Sequence, residues 1–445
     1  MTTISDPPSS SGRSLRRAAV APGIDLDRWP ALASYPRGPK ARIAATVARR
    51  VFVEATHRLG ITVSYEGALV GGRPADIVLH RPEEFFARVG NQGLIGFGEA
   101  YMSGAWDAPD LAGTLTVLCS RITDLVPAWM QRLRATYVAR PPRSERNTRH
   151  NTRQNIARHY DLSNQLFSTF LDPTLSYSSA LFDSDAVTAG DHVRMLPPTT
   201  SESLEAAQAR KVERMLDAAG VGPGTRVLEI GTGWGELAIR AARRGATVRS
   251  VTLSSEQQQL ARERIAAAAE VDGFDAERVV VDLLDYRAVE GSYDAVVSVE
   301  MIEAVGHDYW PTYFAKIDRV LAPGGKVAIQ AITMPHQRML ATRNTWTWIN
   351  KYIFPGGFLP SVQAIDEVTR EHTTLRLTDR LSFGRHYAET LRRWDQAFSA
   401  AHDEVLALGF DETFLRLWHF YLEYSRAGFA SDYLDVQQLT FTRES

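Results

Sequence analysis

At 445 residues, with 44% hydrophobic and 23% charged positions, the chain is long enough for two or three domains of about 150 residues each and apolar enough to bury their cores. Its 50 basic and 52 acidic side chains leave a net charge of −2, which excludes a molecule built as a whole to hold nucleic acid. A single cysteine, Cys119 in an apolar stretch, excludes intramolecular disulfides and a cysteine metal cluster, and no apolar run approaches the roughly 20 residues of a membrane span. Cytoplasmic residence is the expectation that follows.

Residues 1–25 include Ser9-Ser10-Ser11-Gly12, Arg13, Arg16 and Arg17 without an apolar core, and are expected as a disordered tail rather than a signal peptide. Residues 26–131 alternate apolar periodicity with turn signals such as Gly71-Gly72 and Arg81-Pro82, and carry an aromatic-rich segment at 96–106. They predict a smaller N-terminal domain of mixed α/β type. Residues 132–158 form an Arg-rich linker, with Arg132, Arg134, Arg140, Arg143, Arg146, Arg149, Arg153 and Arg158 against one acid, Glu145. Such a segment is either merely solvated or drawn to anionic phospholipid, at about 1 kcal/mol per basic residue.

From residue 205 helical and strand patterns alternate: helix 205–219, strand 226–230, helix 235–244, strand 247–253, helix 255–270, strands 278–281 and 293–299, helix 310–321 and strand 326–332. This alternation predicts a parallel, doubly wound α/β sheet, whose ligand sits beyond the carboxyl ends of the strands. Aromatic-rich helices are expected over 340–430 and a closing strand over 434–443; no internal repeat is present.

At the first strand end, Val227-Leu228-Glu229-Ile230-Gly231-Thr232-Gly233-Trp234-Gly235-Glu236 passes from an apolar run through closely spaced glycines into helical spacing. Glycines there permit positive φ and close approach of backbone to a ligand. A dinucleotide site needs G-x-G-x-x-G and an acid ending the next strand. Here the spacing is G-x-G-x-G, the next strand ends Thr252-Leu253-Ser254, and the acid, Glu229, precedes the first glycine. The loop favours S-adenosylmethionine (SAM), which has no phosphate to cradle, over a nucleotide or a plain strand-to-helix turn.

Strand 293–299 runs into Glu300-Met301-Ile302-Glu303-Ala304-Val305-Gly306, so Glu303 lies about one helical turn past a strand end. Together with His159-Tyr160-Asp161-Leu162-Ser163-Asn164, Leu171-Asp172-Pro173, Tyr177-Ser178-Ser179, the string at 252–258, Ile349-Asn350-Lys351-Tyr352-Ile353-Phe354-Pro355-Gly356-Gly357 and Leu359-Pro360-Ser361, this segment resembles the cyclopropane-fatty-acid synthase family. The resemblance runs from about residue 80 to the C-terminus. Within the family, the strings at 298–306, 330–336 and 425–435 are most similar to the actinobacterial branch that makes 10-methyl, tuberculostearic-type fatty acids.

That resemblance implies an N-terminal lipid-interaction domain followed, over 159–445, by a Rossmann-like SAM methyltransferase domain with helical lipid-binding insertions. It further implies an enzyme peripheral at the inner face of the membrane, methylating the cis double bond of an oleoyl-type chain on a phospholipid to give a 10-methylene intermediate. A separate flavin- and NADPH-dependent reductase would then saturate the product, and a homodimer is the implied assembly. Two other readings stand beside this one: a cyclopropane-forming synthase, and a SAM- and lipid-binding protein without turnover.

Position by position, the resemblance assigns Gly231 and Gly233 to the amino-acid end of SAM, with Glu229 before them and Tyr177 and Ser178 alongside. Thr252, Leu253 and Gln257 fall to the ribose and adenine, and Asp285 and Tyr286 to the adenine edge. Core aromatics with satisfied hydroxyls are the lesser, alternative reading of Tyr177 and Tyr286. In the family the base is a bicarbonate ion held by a glutamate, a histidine, a tyrosine and a backbone amide beside a cysteine. Glu303 and Tyr387 match the glutamate and the tyrosine; Ser179 stands for the cysteine and Gln330 for the histidine. A methylated alkene becomes a carbocation, which aromatic faces can stabilise; Tyr160, Trp310, Trp346, Trp348, Tyr352, Phe354 and Phe358 serve that role or pack a lipid tunnel. His159, His336 and His386 read as structural.

Overall fold

The protein is described by a computed structural model over residues 24–65, 75–121, 163–190, 192–199 and 201–444. The expected tail to residue 23, the Arg-rich linker, Gly71-Gly72, His159 and Tyr160 lie outside the described residues.

Two sheets organise the chain. The small one joins β1 (Val63–Tyr65), β2 (Ile77–Leu79) and β3 (Trp106–Asp107), with β1 parallel and β3 antiparallel to β2. The large one contains β4 (Ala186–Ala189), β5 (His192–Met195), β6 (Arg226–Ile230), β7 (Thr247–Thr252), β8 (Val279–Leu283), β9 (Tyr293–Val299), β10 (Leu321–Thr333), β11 (Leu375–Ser382) and β12 (Asp435–Arg443). Its order is β4-β5-β11-β12-β10-β9-β6-β7-β8. Strands β8, β7, β6, β9 and β10 run parallel, and β12 closes antiparallel on β10, pairing Lys326 with Thr442 through Thr333 with Asp435. The parallel strands are Val-, Ile- and Ala-rich because helices cover both faces. Val227, Leu228, Val296, Val297, Val327 and Ile329 are all buried.

The expectation of helices throughout 340–430 is corrected at Leu375–Ser382, which forms β11 between β5 and β12. Its apolar alternation stops at Leu377, a register shift follows before Asp379, and Asp379 and Arg380 are tied to Arg214 and Gln437. Pairing with a distant strand, rather than local pattern, makes this segment extended. The β4–β5 hairpin, also unforeseen, is largely exposed and rests on β11 in the same way.

The N-terminal elements share one core with the C-terminal helices. Helix Glu412–Ala430, capped by the Asp411 side chain on Phe414 N, is buried along most of its circumference. Its Phe420 meets Tyr101 at 5.1 Å and Trp348 at 4.8 Å between ring centroids, and its Arg416 donates to Tyr101 O and Asp107. Glu99, fully buried, pairs with Arg88 and Lys351 and accepts from Tyr352 Oη at 2.9 Å. A buried carboxylate needs such partners, since leaving it unpaired costs about 3–5 kcal/mol.

Candidate active site

The carboxyl ends of β6, β7, β8, β9 and β10 open on one cavity of about 1370 Å³. Tyr177, Ser178, Glu229, Gly231, Gly233, Thr252, Leu253, Gln257, Asp285 and Tyr286, the residues expected at the cofactor, all line it. After β6 the backbone turns left-handed at Gly231 (φ 97°) and Gly233 (φ 52°). A Cβ on Gly231 would lie 2.4 Å from Met301 Cγ, whereas one on Gly233 would meet open space, so the loop presents bare backbone to the cavity. The Thr252 hydroxyl donates to Gln257 Oε1 at 2.9 Å, which fixes that amide at the N-terminus of helix Ser255–Asp272 with its nitrogen left to donate. Asp285 is braced by Arg287, and the Tyr286 ring stands edge-on to Tyr313 at 5.3 Å. A carboxyl group at the glycine turn, an amide donor on Gln257 and, among the described residues, a G-x-G-x-G turn in place of the dinucleotide spacing fit SAM.

Charge is concentrated under this loop. Burial pushes the Glu229 carboxyl up to about 8, against the opposing effects of the Ser250 hydroxyl and the Lys211 charge. Lys211 itself is buried and pushed down to about 8, though Glu300 and Asp172 favour its charge; it donates to Ser178 Oγ at 2.7 Å. Lys211 escaped the sequence reading, yet a lysine beside Val212 and one turn before Met215, on the apolar face of helix Leu204–Ala218, was the available signal.

Three of the four residues expected around the base, Ser179, Gln330 and Tyr387, converge on a side chain not foreseen, while Glu303 bonds elsewhere. Glu300, directly after β9, holds a left-handed φ of 50°. Its Oε1 accepts from Ser179 N at 3.0 Å and from Gln330 Nε2 at 2.9 Å, and its Oε2 accepts from Tyr387 Oη at 2.7 Å. Ser179 and Gln330 are fully buried behind Glu300 and do not reach the cavity wall; Glu300, Glu303 and Tyr387 do. The donors expected for bicarbonate are thus already engaged by a carboxylate, and a second anion among them would meet its charge at contact. These residues do not fit bicarbonate. Glu303 accepts from Ile332 N at 2.5 Å, and its Oε2 is buried without a hydrogen-bond partner. Burial, then the charge of Glu300, pushes Glu303 up to about 8. Burial likewise raises Glu300, opposed by its three donors and Lys211, and Tyr387 is raised well above the ordinary phenol value.

Other expected residues divide. Trp346, Trp348, Phe354 and Phe358 line the cavity, while Trp310 and Tyr352 stand outside it, bonded to Ile302 O and Glu99. His386 is a brace: its Nδ1 accepts from Phe182 N, its Nε2 meets Leu196 O, and burial lowers it to about 4. His336 holds the Ser361 hydroxyl at 2.8 Å. Beyond Trp348 the cavity continues between the N-terminal helices, along Ala44, Val47, Val51 and Phe52 to Leu94.

Comparison with known proteins agrees with this geometry. The family described as mycolic acid cyclopropane synthetase matches residues 147–439. The chain is 53% identical to tuberculostearic acid methyltransferase UfaA1 of Mycobacterium tuberculosis over 95% of its length and 96% of the relative's. It is 34% identical to the cyclopropane-fatty-acyl-phospholipid synthase of Escherichia coli K12, over 88% and 93%. Among solved structures, mycolic acid cyclopropane synthase CmaA1 complexed with SAH and CTAB aligns with a TM-score of 0.56 at 28% identity, over 65% of this chain and 97% of that one. The chain therefore belongs to the mycolic acid cyclopropane synthetase family of SAM-dependent methyltransferases acting on fatty acyl chains.

Proposed function

We propose that the enzyme methylates the cis double bond of an oleoyl-type chain carried on a membrane phospholipid, and releases a 10-methylene chain rather than a cyclopropane. The observation that carries the methyl transfer to an acyl chain is the joint cavity. At about 1370 Å³ it exceeds the roughly 300–1,000 Å³ of ordinary ligand pockets, and it runs from the glycine loop past Trp348 and Phe420 to the N-terminal helices. A cofactor and an acyl chain have room to meet end to end. The name of one relative, a tuberculostearic acid methyltransferase, supports this product, and that of the other, a cyclopropane-fatty-acyl-phospholipid synthase, supports the phospholipid carrier.

SAM, when bound, supplies an electrophilic methyl group. Glu229, Gly231 and Gly233 hold its amino-acid end, Thr252, Leu253 and Gln257 its ribose and adenine, and Asp285 and Tyr286 the adenine edge. An alkene is a feeble nucleophile, so the apolar wall must hold it in line and dry. Trp348, Phe354 and Phe358 do so and face the cation that forms.

No described helix is long and apolar enough to cross a membrane. Access to the lipid is peripheral: Ile43, Val47 and Leu94 are exposed beside Lys40, Arg42, Arg49 and Arg50, where the cavity reaches the N-terminal helices, and the Arg-rich 132–158 segment adds charge for an anionic inner leaflet. The methylene product leaves for a separate flavin- and NADPH-dependent reductase, and the enzyme works as a homodimer. Incubating the purified protein with methyl-labelled SAM and dioleoyl phospholipid vesicles tests the function. Label in a 10-methylene acyl chain is expected. A cyclopropane product selects the ring-forming reading, and absence of label selects a non-catalytic binder.

A further inference from the structure

Glu300 holds a backbone conformation that side chains rarely adopt. Its left-handed φ of 50° suits glycine, so a charged side chain there is held against a backbone preference. What holds it is a prepared set of donors. Ser179 N and Gln330 Nε2 both point at Oε1, and Tyr387 Oη points at Oε2. Gln330 is itself oriented by Gln438, whose Nε2 donates to Gln330 Oε1 at 3.0 Å, so the Gln330 amide must turn its NH2 toward Glu300. Arg214 donates to Gln438 Oε1 at 2.7 Å and fixes that amide in turn. A chain of oriented groups therefore ends on one carboxylate, and that carboxylate forms part of the cavity wall.

We propose that Glu300 is the base of the reaction: its carboxylate takes the proton lost from the methylated acyl chain, in the place where a bound bicarbonate was expected. The inference rests on the methyltransferase reading above. As the alkene π pair forms the new C–CH3 bond, the S–CH3 pair stays on sulfur and the positive charge passes to the neighbouring chain carbon. A 1,2-hydride shift moves the charge onto the carbon bearing the methyl. One methyl C–H bond then breaks, its pair becomes the exocyclic double bond, and the proton bonds to Glu300 Oε2. Of the two oxygens, Oε1 already receives two donors and Oε2 one, so Oε2 keeps a lone pair for the proton. Charge balances, because a cation and a carboxylate give a neutral alkene and a neutral acid, which returns its proton to solvent once product has left. Ser179 and Gln330 are positioning residues, and Tyr387 sets which lone pair faces the chain.

The test compares wild type, Glu300→Gln and Glu300→Gly in buffers stripped of carbon dioxide and with bicarbonate or formate added back, measuring label transferred from SAM to oleoyl phospholipid. Calorimetric binding of S-adenosylhomocysteine confirms that each variant is folded, and glycine suits the φ of this position. Wild type should be indifferent to bicarbonate. Glu300→Gln should bind cofactor normally and lose turnover by about 10²–10⁴-fold, the usual contribution of a general base. Glu300→Gly should be equally slow and recover with formate or bicarbonate, which can enter the vacated donor set. Turnover of Glu300→Gln within tenfold of wild type, or wild-type turnover that depends on bicarbonate, overturns the role of Glu300 while leaving the methyltransferase reading intact. A wild-type protein that transfers no label under any condition overturns both.

Discussion

Glu303 and Glu229 are two carboxyls raised by the same burial but surrounded by different charges. Each is pushed up to about 8 with burial as the first cause, but the next influence on Glu303 is a like charge, Glu300, whereas Glu229 has Ser250 and Lys211 in opposition. A value raised toward 8 favours the protonated Glu303 carboxyl at neutral pH, and in the proposed reaction its ionised form is the one that would face a cationic chain. Glu303→Gln is expected to keep cofactor binding, lose methyl transfer by at least about a hundredfold, and lose a limb near pH 8 in the kcat/KM profile. Near-normal turnover would leave Glu303 only its bond to Ile332 N. At Glu229 the sign follows from the ligand. SAM brings positive charge, which favours the ionised carboxyl and lowers its pKa, so binding at pH 7 should release protons. Titration calorimetry in buffers of different ionisation enthalpy should show this release, diminished in Glu229→Gln; equal release in both would place the proton on another group.

At the scale of elements, the legible part of the chain was the part with local periodicity. Strands 226–230 and 293–299 are as expected, and helices Glu236–Arg243, Ser255–Asp272 and Trp310–Val320 differ from expectation only at their ends. β11 was not legible, because its pattern is broken by Asp379 and Arg380 and its extended form comes from β12. The same limit applied to Glu300. It lies three residues before Glu303 in the string that carried the resemblance, but nothing in that string shows that its backbone turns left-handed and swings the carboxylate onto Ser179, 121 positions away. Element packing also yields a prediction. A Cβ on Gly96 would lie 2.1 Å from Arg88 O, where helix Leu94–Met102 crosses helix Pro82–Gln92. Gly96→Ala should cost about 1–3 kcal/mol by overpacking, lowering Tm by about 1–3 °C in calorimetry for a chain of this length; an unchanged Tm would mean that the crossing can open at no cost.

Across the whole molecule, the N-terminal elements and the sheet are one body around one cavity, with Phe420 and Trp348 at the junction. The expected division at 131/132 falls outside the described residues. In the proposed function a lipid enters this cavity at the N-terminal helices and the cofactor binds at the glycine loop. Replacing both Ile43 and Leu94, 67% and 57% exposed, by Asp should weaken partition to anionic vesicles by tenfold or more, since each large apolar side chain is worth roughly 1.5–3 kcal/mol when buried. Sedimentation with vesicles reads this directly, and unchanged partition would move the docking surface elsewhere.

The central claim, methyl transfer to a double bond followed by proton loss from the new methyl, is tested most directly with one isotopic substrate. Oleoyl phospholipid bearing deuterium at C10 is incubated with purified protein and SAM, without flavin or NADPH, and the product is read by NMR and mass spectrometry. The expected product is a 10-methylene chain with deuterium moved to C9. A product with upfield cyclopropane protons and deuterium retained on C10 would contradict it.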